Sequence, residues 1–139
     1  MLCRIAIIDD SSVDTSYIAS LVNTWAELSD TSVQVTTFFS AEAFLFTYAE
    51  NRIFDILLLD IEMDGMNGIE LAQKLRREGA DIQLVFITGY PDFISKGYDV
   101  AALHYLMKPV LQEKLAQVLD RAVENLMKTR RSIVLSVGE

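Results

Sequence analysis

The sequence predicts a doubly wound α/β fold, in which one parallel sheet carries helices on both of its faces. Two features of the 139-residue chain support this prediction. Short apolar runs alternate along the chain with longer segments whose apolar residues recur at helical spacing. In addition, the run Ile56–Leu59 is apolar at every position, as expected for a strand covered by helices on both sides.

Five apolar runs are predicted strands, and polar residues follow each of them within two positions. In order, they are Cys3–Ile8, Val33–Phe38, Ile56–Leu59, Leu84–Ile87 and Leu103–Met107. The first contains the only cysteine of the chain, which has no partner for an internal disulfide and is interpreted as a small apolar strand residue. Strands that alternate with helices are expected to pair in parallel through right-handed crossovers.

Predicted helices fill the intervals between these strands and follow the last of them. Ser11 or Ser12 caps the first helix, and Ser40 caps the second, which covers residues 41–50. The third helix ends near Gly79, the fourth begins at Pro91, and the last runs from about Leu111 to Met127. Their predicted apolar faces are, in order, Ile18, Leu21, Val22, Trp25 and Leu28; Phe44, Leu45 and Tyr48; Ile69, Leu71, Ala72 and Leu75; Phe93, Ile94 and Tyr98; and Leu115, Val118, Leu119, Ala122 and Leu126.

The composition restricts where the protein works and what it binds. Mean hydropathy is +0.26, yet no apolar run approaches the ~20 residues that a membrane-spanning helix needs. The apolar start is short and runs directly into Asp9 and Asp10, which is unlike a signal peptide. We therefore expect a cytoplasmic protein with no membrane partner. The net charge of −8 gives this domain no electrostatic reason to bind nucleic acid by itself.

Polar residues with chemical potential follow four of the predicted strands. Asp9 and Asp10 follow the first strand, Asp60 the third, Thr88 the fourth and Lys108 the fifth. Each has an ordinary explanation when taken alone, such as helix capping, a turn or a solvated surface charge. Ligands of doubly wound sheets bind beyond the carboxyl ends of the strands, where all five of these residues are expected. Their joint presence favours a functional site.

The residue types at this edge indicate a metal-assisted phosphoryl site. Clustered carboxylates repel one another, so a cation must neutralise them or some must protonate. Oxygen ligands with no neighbouring His or Cys in the sequence favour Mg²⁺, or a similar ion such as Mn²⁺, over zinc. Lys108 supplies a positive charge and Thr88 a hydroxyl, both suited to phosphoryl oxygens. A carboxylate in such surroundings can accept a phosphoryl group.

Taken together, these segments resemble the receiver domains of two-component response regulators, the family that includes the chemotaxis response regulator. The resemblance covers essentially residues 3–127. The matching segments are Ile7–Asp10, Leu58–Met63, Met66–Gly68, Ile87–Gly89 and Tyr105–Pro109. It implies a flavodoxin-like sheet with strand order 2-1-3-4-5. It also implies a signalling switch that receives its phosphoryl group from a histidine kinase. Such a receiver is not an enzyme, although it promotes its own phosphorylation and dephosphorylation.

The resemblance assigns a role to each matching residue. It makes Asp60 the phosphoacceptor and implies that Asp10, Asp60 and the backbone carbonyl of Glu62 bind Mg²⁺, with Asp9 acting through water. Lys108 and Thr88 would bind the phosphoryl group. The remaining implied roles are a cis peptide bond before Pro109, a switch made of Thr88 and Tyr105, and tuning of the phosphate lifetime by Glu62 and Tyr90. The chain departs from the family at Asp64, where a proline is common.

The resemblance also implies partners and an output. Phosphorylation is expected to promote homodimerisation through the face formed by the fourth helix, fifth strand and last helix, and the lone His104 is interpreted as a structural or interface residue. Residues 1–128 are predicted to be the receiver domain, and residues 129–139 a linker. There, Ile133–Val137 is predicted to be a strand that begins a DNA-binding output domain like those of LytTR-type regulators. A frayed tail is the alternative, and DNA would be bound only by that output domain.

Three other functions fit parts of the pattern. A haloacid-dehalogenase-like Mg²⁺-dependent phosphatase also uses an Asp nucleophile, but it usually carries it after the first core strand with a second Asp two positions later. Here Asp60 follows the third predicted strand, and Glu62 stands two positions on. A flavodoxin-like FMN carrier would suffer repulsion between Asp9, Asp10 and the cofactor phosphate. A receiver-like module that is never phosphorylated would not need all five site residues.

Overall fold

The computed structural model describes residues 2–90 and 100–138, with the backbone alone for residues 131–138. Five parallel strands form one sheet in the order β2-β1-β3-β4-β5, which confirms the predicted class and strand order. The strands are β1 (Leu2–Ile8), β2 (Ser32–Phe38), β3 (Ile56–Leu59), β4 (Gln83–Thr88) and β5 (His104–Met107). The central strand β3 is completely buried, as is β1 from Ile5 to Ile8, which explains the continuous apolar sequence of both segments.

Helices cover both faces of the sheet, as predicted, and the described residues form two on each face. The helices are α1 (Ser12–Leu28), α2 (Ala41–Glu50), α3 (Gly68–Arg77) and α4 (Gln112–Gly138). One apolar layer joins the sheet to α1 and α4, and the other joins it to α2 and α3. Cys3 is fully buried in the first layer, and burial raises the pKa of its thiol to about 11, as suits an apolar strand residue. The predicted helix from Pro91 through Phe93, Ile94 and Tyr98 lies outside the described residues.

The predicted helix starts at Ser11 and Ser40 are confirmed by their hydrogen bonds. The Ser11 hydroxyl accepts a hydrogen bond from the Asp14 N–H at 3.2 Å, and the Ser40 hydroxyl accepts one from the Ala43 N–H at 3.0 Å. Such caps stabilise a helix by ~1 kcal/mol, because they satisfy an N–H group that has no partner within the helix. The third helix ends as predicted, since Gly79 follows it with a positive φ of 80°.

The prediction that Leu28 belongs to the buried face of α1 is wrong. Its side chain is 81% exposed, although Ile18, Leu21, Val22 and Trp25 are buried as predicted. Leu28 is the last residue of α1. In that final turn, Ala26 takes the buried position instead.

The prediction of a strand at Ile133–Val137 is also wrong, because α4 continues through Gly138. Neither Gly nor Pro occurs between Gln112 and Val137, so no residue interrupts the helix. Adding residues to an existing helix is much easier than nucleating new structure, so a short β-branched segment can be carried into it. No helix in the described part of the chain combines the length and apolar character needed to cross a membrane.

Gly68 is the point where the fold leaves no room for a side chain. A Cβ atom at this position would lie 2.1 Å from the backbone oxygen of Asp60, and the Gly68 N–H donates to the Ile61 carbonyl at 2.8 Å. The start of α3 is therefore packed directly against the backbone that follows β3.

Gly68→Ala is expected to destabilise the protein by ~1–3 kcal/mol, because the added methyl group must displace backbone atoms. Urea unfolding of the variant and of Gly89→Ala measures the difference, since a Cβ at Gly89 would meet no atom within 4 Å. Equal unfolding midpoints for Gly68→Ala and the wild type would contradict the close packing.

Candidate functional site

The carboxyl ends of four strands meet at one edge of the sheet and bring the predicted residues together. Asp9 and Asp10 directly follow β1, Asp60 follows β3, Thr88 ends β4 and Lys108 follows β5. An open cavity of ≈ 440 Å³ lies at this edge, lined by Asp9, Asp10, Ser11, Asp14, Asp60, Glu62, Met63, Asp64, Gly89, Tyr90 and Lys108. The cavity is large enough for a phosphoryl group and its surrounding water.

Three carboxylates form an acidic trio in this cavity. Asp9, Asp10 and Asp60 each offer an oxygen that lies within 4.8 Å of the others. Asp9 and Asp60 are buried, whereas Asp10 is exposed. Burial, with repulsion from Asp9, raises the pKa of Asp60 to about 6, although Lys108 partly opposes the shift. The folded protein therefore stores unfavourable charge at Asp60.

Lys108 provides the compensating positive charge. Its Nζ lies 2.8 Å from Asp9 Oδ2, 2.9 Å from Asp14 Oδ2 and 3.4 Å from Asp60 Oδ2. Burial alone lowers the pKa of Lys108, but the hydrogen bonds to Asp9 and Asp14 and the charge of Asp60 outweigh burial, so the pKa is raised. The ammonium group therefore stays protonated throughout the physiological pH range.

The backbone around Lys108 is fixed on both sides. The Lys108 N–H donates to the Thr88 carbonyl at 2.9 Å, which ties it to the end of β4. The peptide bond between Lys108 and Pro109 is cis, as the family resemblance implies. On the next residue, the Val110 carbonyl accepts a hydrogen bond from the Tyr17 hydroxyl at 2.7 Å. These contacts join β4, β5 and α1 at the position where the ammonium enters the cavity.

Asp9 and Asp10 have different hydrogen-bond partners. Asp9 Oδ1 accepts from the Ser11 N–H at 2.9 Å, while its other oxygen binds Lys108. Asp10 Oδ2 accepts from the Asp64 N–H at 3.2 Å. A proline at position 64 would have no N–H to donate, so the departure from the family at Asp64 creates this contact.

Two side chains hold the segment between β3 and α3, Asp10 at the cavity and Glu42 on α2. The Met66 N–H donates to Glu42 Oε2 at 3.0 Å, and Gly65 between these contacts has a positive φ of 76°. Met63 is buried, whereas the side chain of Glu62 is exposed at the cavity edge. Because the Glu62 side chain is exposed, other residues could replace it without disturbing the core.

Thr88 and Tyr105 lie in the neighbouring strands β4 and β5. Thr88 is buried, and its hydroxyl accepts a hydrogen bond from the Tyr90 N–H at 3.1 Å. Tyr105 is partly buried and stacks on Phe86, with ring centroids 5.1 Å apart. The side chain of Tyr90 is exposed. His104 is exposed on β5, and it is not among the described residues that line the cavity.

Asp14 and Tyr17 were missed by the sequence analysis. Both lie on α1, where Asp14 binds Lys108 and the Tyr17 hydroxyl donates to the backbone carbonyl of Val110. A carboxylate in the first turn of a helix has an ordinary explanation in the helix dipole, so its sequence position gives little warning. The usable signal is position, because Asp14 lies in the first turn of the helix that directly follows Asp9 and Asp10 and thus starts at the same sheet edge.

The donor set fits a hard divalent cation. The acidic trio supplies only carboxylate oxygens, the ligands that Mg²⁺ and Mn²⁺ accept in proteins. Within the described ranges, the single His and the single Cys lie outside this cavity, so the softer ligands typical of zinc are absent from its lining. A cation there would also relieve the repulsion that raises the pKa of Asp60.

Comparison with known proteins identifies similar sequences. The family model of the response regulator receiver domain matches residues 5–120. The chain is 28% identical to the transcriptional regulatory protein NatR of Bacillus subtilis, over 92% of this chain and 53% of that protein. It is 32% identical to the sensory transduction protein LytT of Bacillus subtilis, over 61% of this chain and 39% of that protein. The chain thus spans about half the length of these relatives, or less.

Solved structures give the same result. A CheY-like receiver domain protein from Methanospirillum hungatei JF-1 matches with a TM-score of 0.72 and 27% identity, over 93% of this chain and 99% of that chain. A receiver domain protein from Clostridium thermocellum matches with a TM-score of 0.78 and 22% identity, over 91% of this chain and 98% of that chain. At the lower identity, the likeness concerns the fold alone.

Asp60→Asn is expected to stabilise the metal-free protein at neutral pH. The raised pKa means that folded Asp60 binds its proton more tightly than the unfolded residue, whose ordinary pKa is 3.8. Ionised Asp60 therefore lowers the free energy of unfolding increasingly as the pH rises from about 4. The effect is complete somewhat above pH 6, where it amounts to at most ~3 kcal/mol. Urea unfolding in a chelator should show a large gain for Asp60→Asn at pH 8 and little gain at pH 4. A gain that does not change with pH would contradict this assignment.

Proposed function

This chain belongs to the response regulator receiver domain family, and on that basis we propose that its phosphoryl group is carried on Asp60. The observation that supports this choice is the position of Asp60 between a cation and an acidic pair. Its Oδ2 lies 3.4 Å from Lys108 Nζ, and its oxygens lie within 4.8 Å of those of Asp9 and Asp10. The family match gives no support to the phosphatase alternative.

Mg²⁺, or Mn²⁺ in its place, is the proposed cofactor. Asp10, Asp60 and the backbone carbonyl of Glu62 would hold it directly, and Asp9 would act through water. The indirect role of Asp9 is supported by its contacts, because Ser11 and Lys108 already occupy its two oxygens. When bound, the ion neutralises negative charge on phosphoryl oxygens.

The proposed reaction transfers a phosphoryl group from a phosphohistidine of a sensor kinase. The phosphorus–nitrogen bond breaks, a bond forms between phosphorus and a carboxylate oxygen of Asp60, and the departing imidazole takes up a proton. Asp60 must be ionised to attack, and a pKa of about 6 leaves it mostly ionised at neutral pH. Lys108 neutralises the phosphoryl oxygens, which lowers the barrier electrostatically. The same groups would assist hydrolysis of the acyl phosphate.

The proposed switch consists of Thr88 and Tyr105. The Thr88 hydroxyl accepts its hydrogen bond from the Tyr90 N–H, so its own proton would be donated to a phosphoryl oxygen. Tyr105 would then move into the space behind Thr88, which requires its stacking contact with Phe86 to change. The exposed Glu62 and Tyr90 flank the cavity and are proposed to tune the lifetime of the phosphorylated state. Such a switch needs two packing states that the added charge can bias.

The proposed output is regulation of transcription in the cytoplasm. NatR is named a transcriptional regulatory protein, and this chain spans 53% of its length. DNA would be bound by an output domain outside this chain, because the net charge of −8 disfavours binding here. Residues 129–139 are proposed to connect the receiver domain, residues 1–128, to such a domain, and the continuation of α4 through this segment suits a helical connection.

Phosphorylation of Asp60 can be tested by intact-mass measurement. Incubation of the wild type with acetyl phosphate and Mg²⁺ should add one phosphoryl group per chain, and a chelator should prevent the addition. Asp60→Asn should add none, because its amide is not a nucleophile for phosphorus. Asp55→Asn is a suitable control, since Asp55 precedes β3 at the opposite end of the sheet. Stoichiometric labelling of Asp60→Asn would refute the assignment.

Dimerisation on activation can be tested by sedimentation velocity. Beryllofluoride mimics the phosphoryl group, and with Mg²⁺ it should convert monomers to dimers through the face that includes β5 and α4. That face carries the exposed Met107 and Leu111, whose burial would favour association. Leu111→Ser should weaken the dimer, whereas Leu28→Ser, on the exposed end of α1, should not. An unchanged sedimentation coefficient for the wild type would exclude this mode of activation.

A further inference from the structure

We propose that Asp14 is a positioning residue that holds Lys108 in the unphosphorylated site and competes with the phosphoryl group for it. This inference rests on the proposed function, because it concerns how readily the same site accepts a phosphoryl group. Asp14 itself touches no reacting atom. It acts through the ammonium group of Lys108.

The distances around Lys108 show an uneven distribution of its hydrogen bonds. An ammonium group has three N–H donors. Two of them serve Asp9 at 2.8 Å and Asp14 at 2.9 Å, while the contact with Asp60 is longer, at 3.4 Å. Lys108 is therefore held most tightly by the two carboxylates that do not accept the phosphoryl group.

The third donor faces Asp60, but a phosphoryl group there would carry its charged oxygens farther from the carboxyl group, so Lys108 would have to shift toward them and loosen one of its two shorter contacts. Asp9 is a costly partner to release, because its side chain is only 2% exposed and would be left as a buried charge. The side chain of Asp14 is 40% exposed, so water can solvate it after release. Asp14 also lies outside the acidic trio and is not needed there. The contact between Lys108 and Asp14 is thus the one exchanged for a phosphoryl oxygen.

The position of Asp14 is set by the fold and not by Lys108. Its N–H donates to the Ser11 hydroxyl at 3.2 Å, which fixes it in the first turn of α1. One turn later, Tyr17 binds the Val110 carbonyl and holds α1 against the backbone beside Lys108. The carboxylate is therefore preorganised for the ammonium before any phosphoryl group arrives.

Two effects of Asp14 oppose phosphoryl binding, and they can be separated experimentally. The first is competition for Lys108, because its contact with Asp14 has to be given up. The second is general repulsion between the charge of Asp14 and an anion. Asp64 offers a matched control. It lines the same cavity, and within the described ranges it forms no ion pair with Lys108. Asp64→Ala removes one charge while retaining the N–H that donates to Asp10.

The test measures beryllofluoride binding in the presence of Mg²⁺ by fluorine NMR and calorimetry. Asp14→Ala should bind the mimic about three- to tenfold more tightly than the wild type, the range expected for a partly exposed ion pair. Asp64→Ala should gain less than half of that increase. Asp14→Glu retains the charge and the reach toward Lys108, and its affinity should remain close to that of the wild type. Circular dichroism melting of each variant checks that it is folded at the temperature of the titration.

The outcomes distinguish this inference from the proposed function. Equal gains for Asp14→Ala and Asp64→Ala would reduce the effect to general repulsion and overturn the inference, as would a gain for Asp14→Glu that equals that of Asp14→Ala. In both cases the wild type still binds beryllofluoride, and the proposed function stands. A wild type that binds no beryllofluoride would overturn the proposed function, and the inference with it.

Discussion

The structure of the site depends on one ammonium group placed among carboxylates. Lys108 contacts Asp9, Asp14 and Asp60, and Asp10 completes the negative charge of the cavity. A single positive charge cannot neutralise this set, so the unphosphorylated site keeps an excess of negative charge. That excess raises the pKa of Asp60 and makes the cavity receptive to a divalent cation. An anion that entered the cavity would be repelled by this excess unless such an ion neutralised it.

The sheet explains why a lysine performs this role. Strand order places β1 beside β3, so Asp9 and Asp10 lie next to Asp60, whereas β5 is two strands away from β3. Neighbouring strands are ~4.8 Å apart, and a cation from β5 must therefore reach across β4. The long lysine side chain spans that distance, and the hydrogen bond from its N–H to the Thr88 carbonyl fixes where it starts. Gly68 helps to fix the position of Asp60, because it allows α3 to pack directly on the Asp60 backbone.

Sequence reasoning succeeded where the determining interactions are local and failed where they are not. The helix caps at Ser11 and Ser40 and the buried strand Ile56–Leu59 follow from neighbouring residues, so they were predicted. The sheet edge that unites Asp9, Asp10, Asp60 and Lys108 follows from parallel topology, but the strand order itself came from family resemblance. The β-branched residues of Ile133–Val137 favour a strand locally, but the helix that precedes them continues through this segment. Asp14 was missed because its partner Lys108 is distant in sequence and its own position suggests only a helix dipole.

Phosphorylation would redistribute the charge of this site, not merely increase it. In the unphosphorylated protein the excess charge is concentrated on buried Asp60, where solvation is poor. Once phosphorylated, that carboxyl would carry no charge of its own, and the negative charge would lie on phosphoryl oxygens in the open cavity. Water, a bound cation and the ammonium group of Lys108, released from Asp14, could all reach those oxygens. The repulsion stored at Asp60 before the reaction is thereby relieved, which offsets part of the free energy needed to form a reactive acyl phosphate.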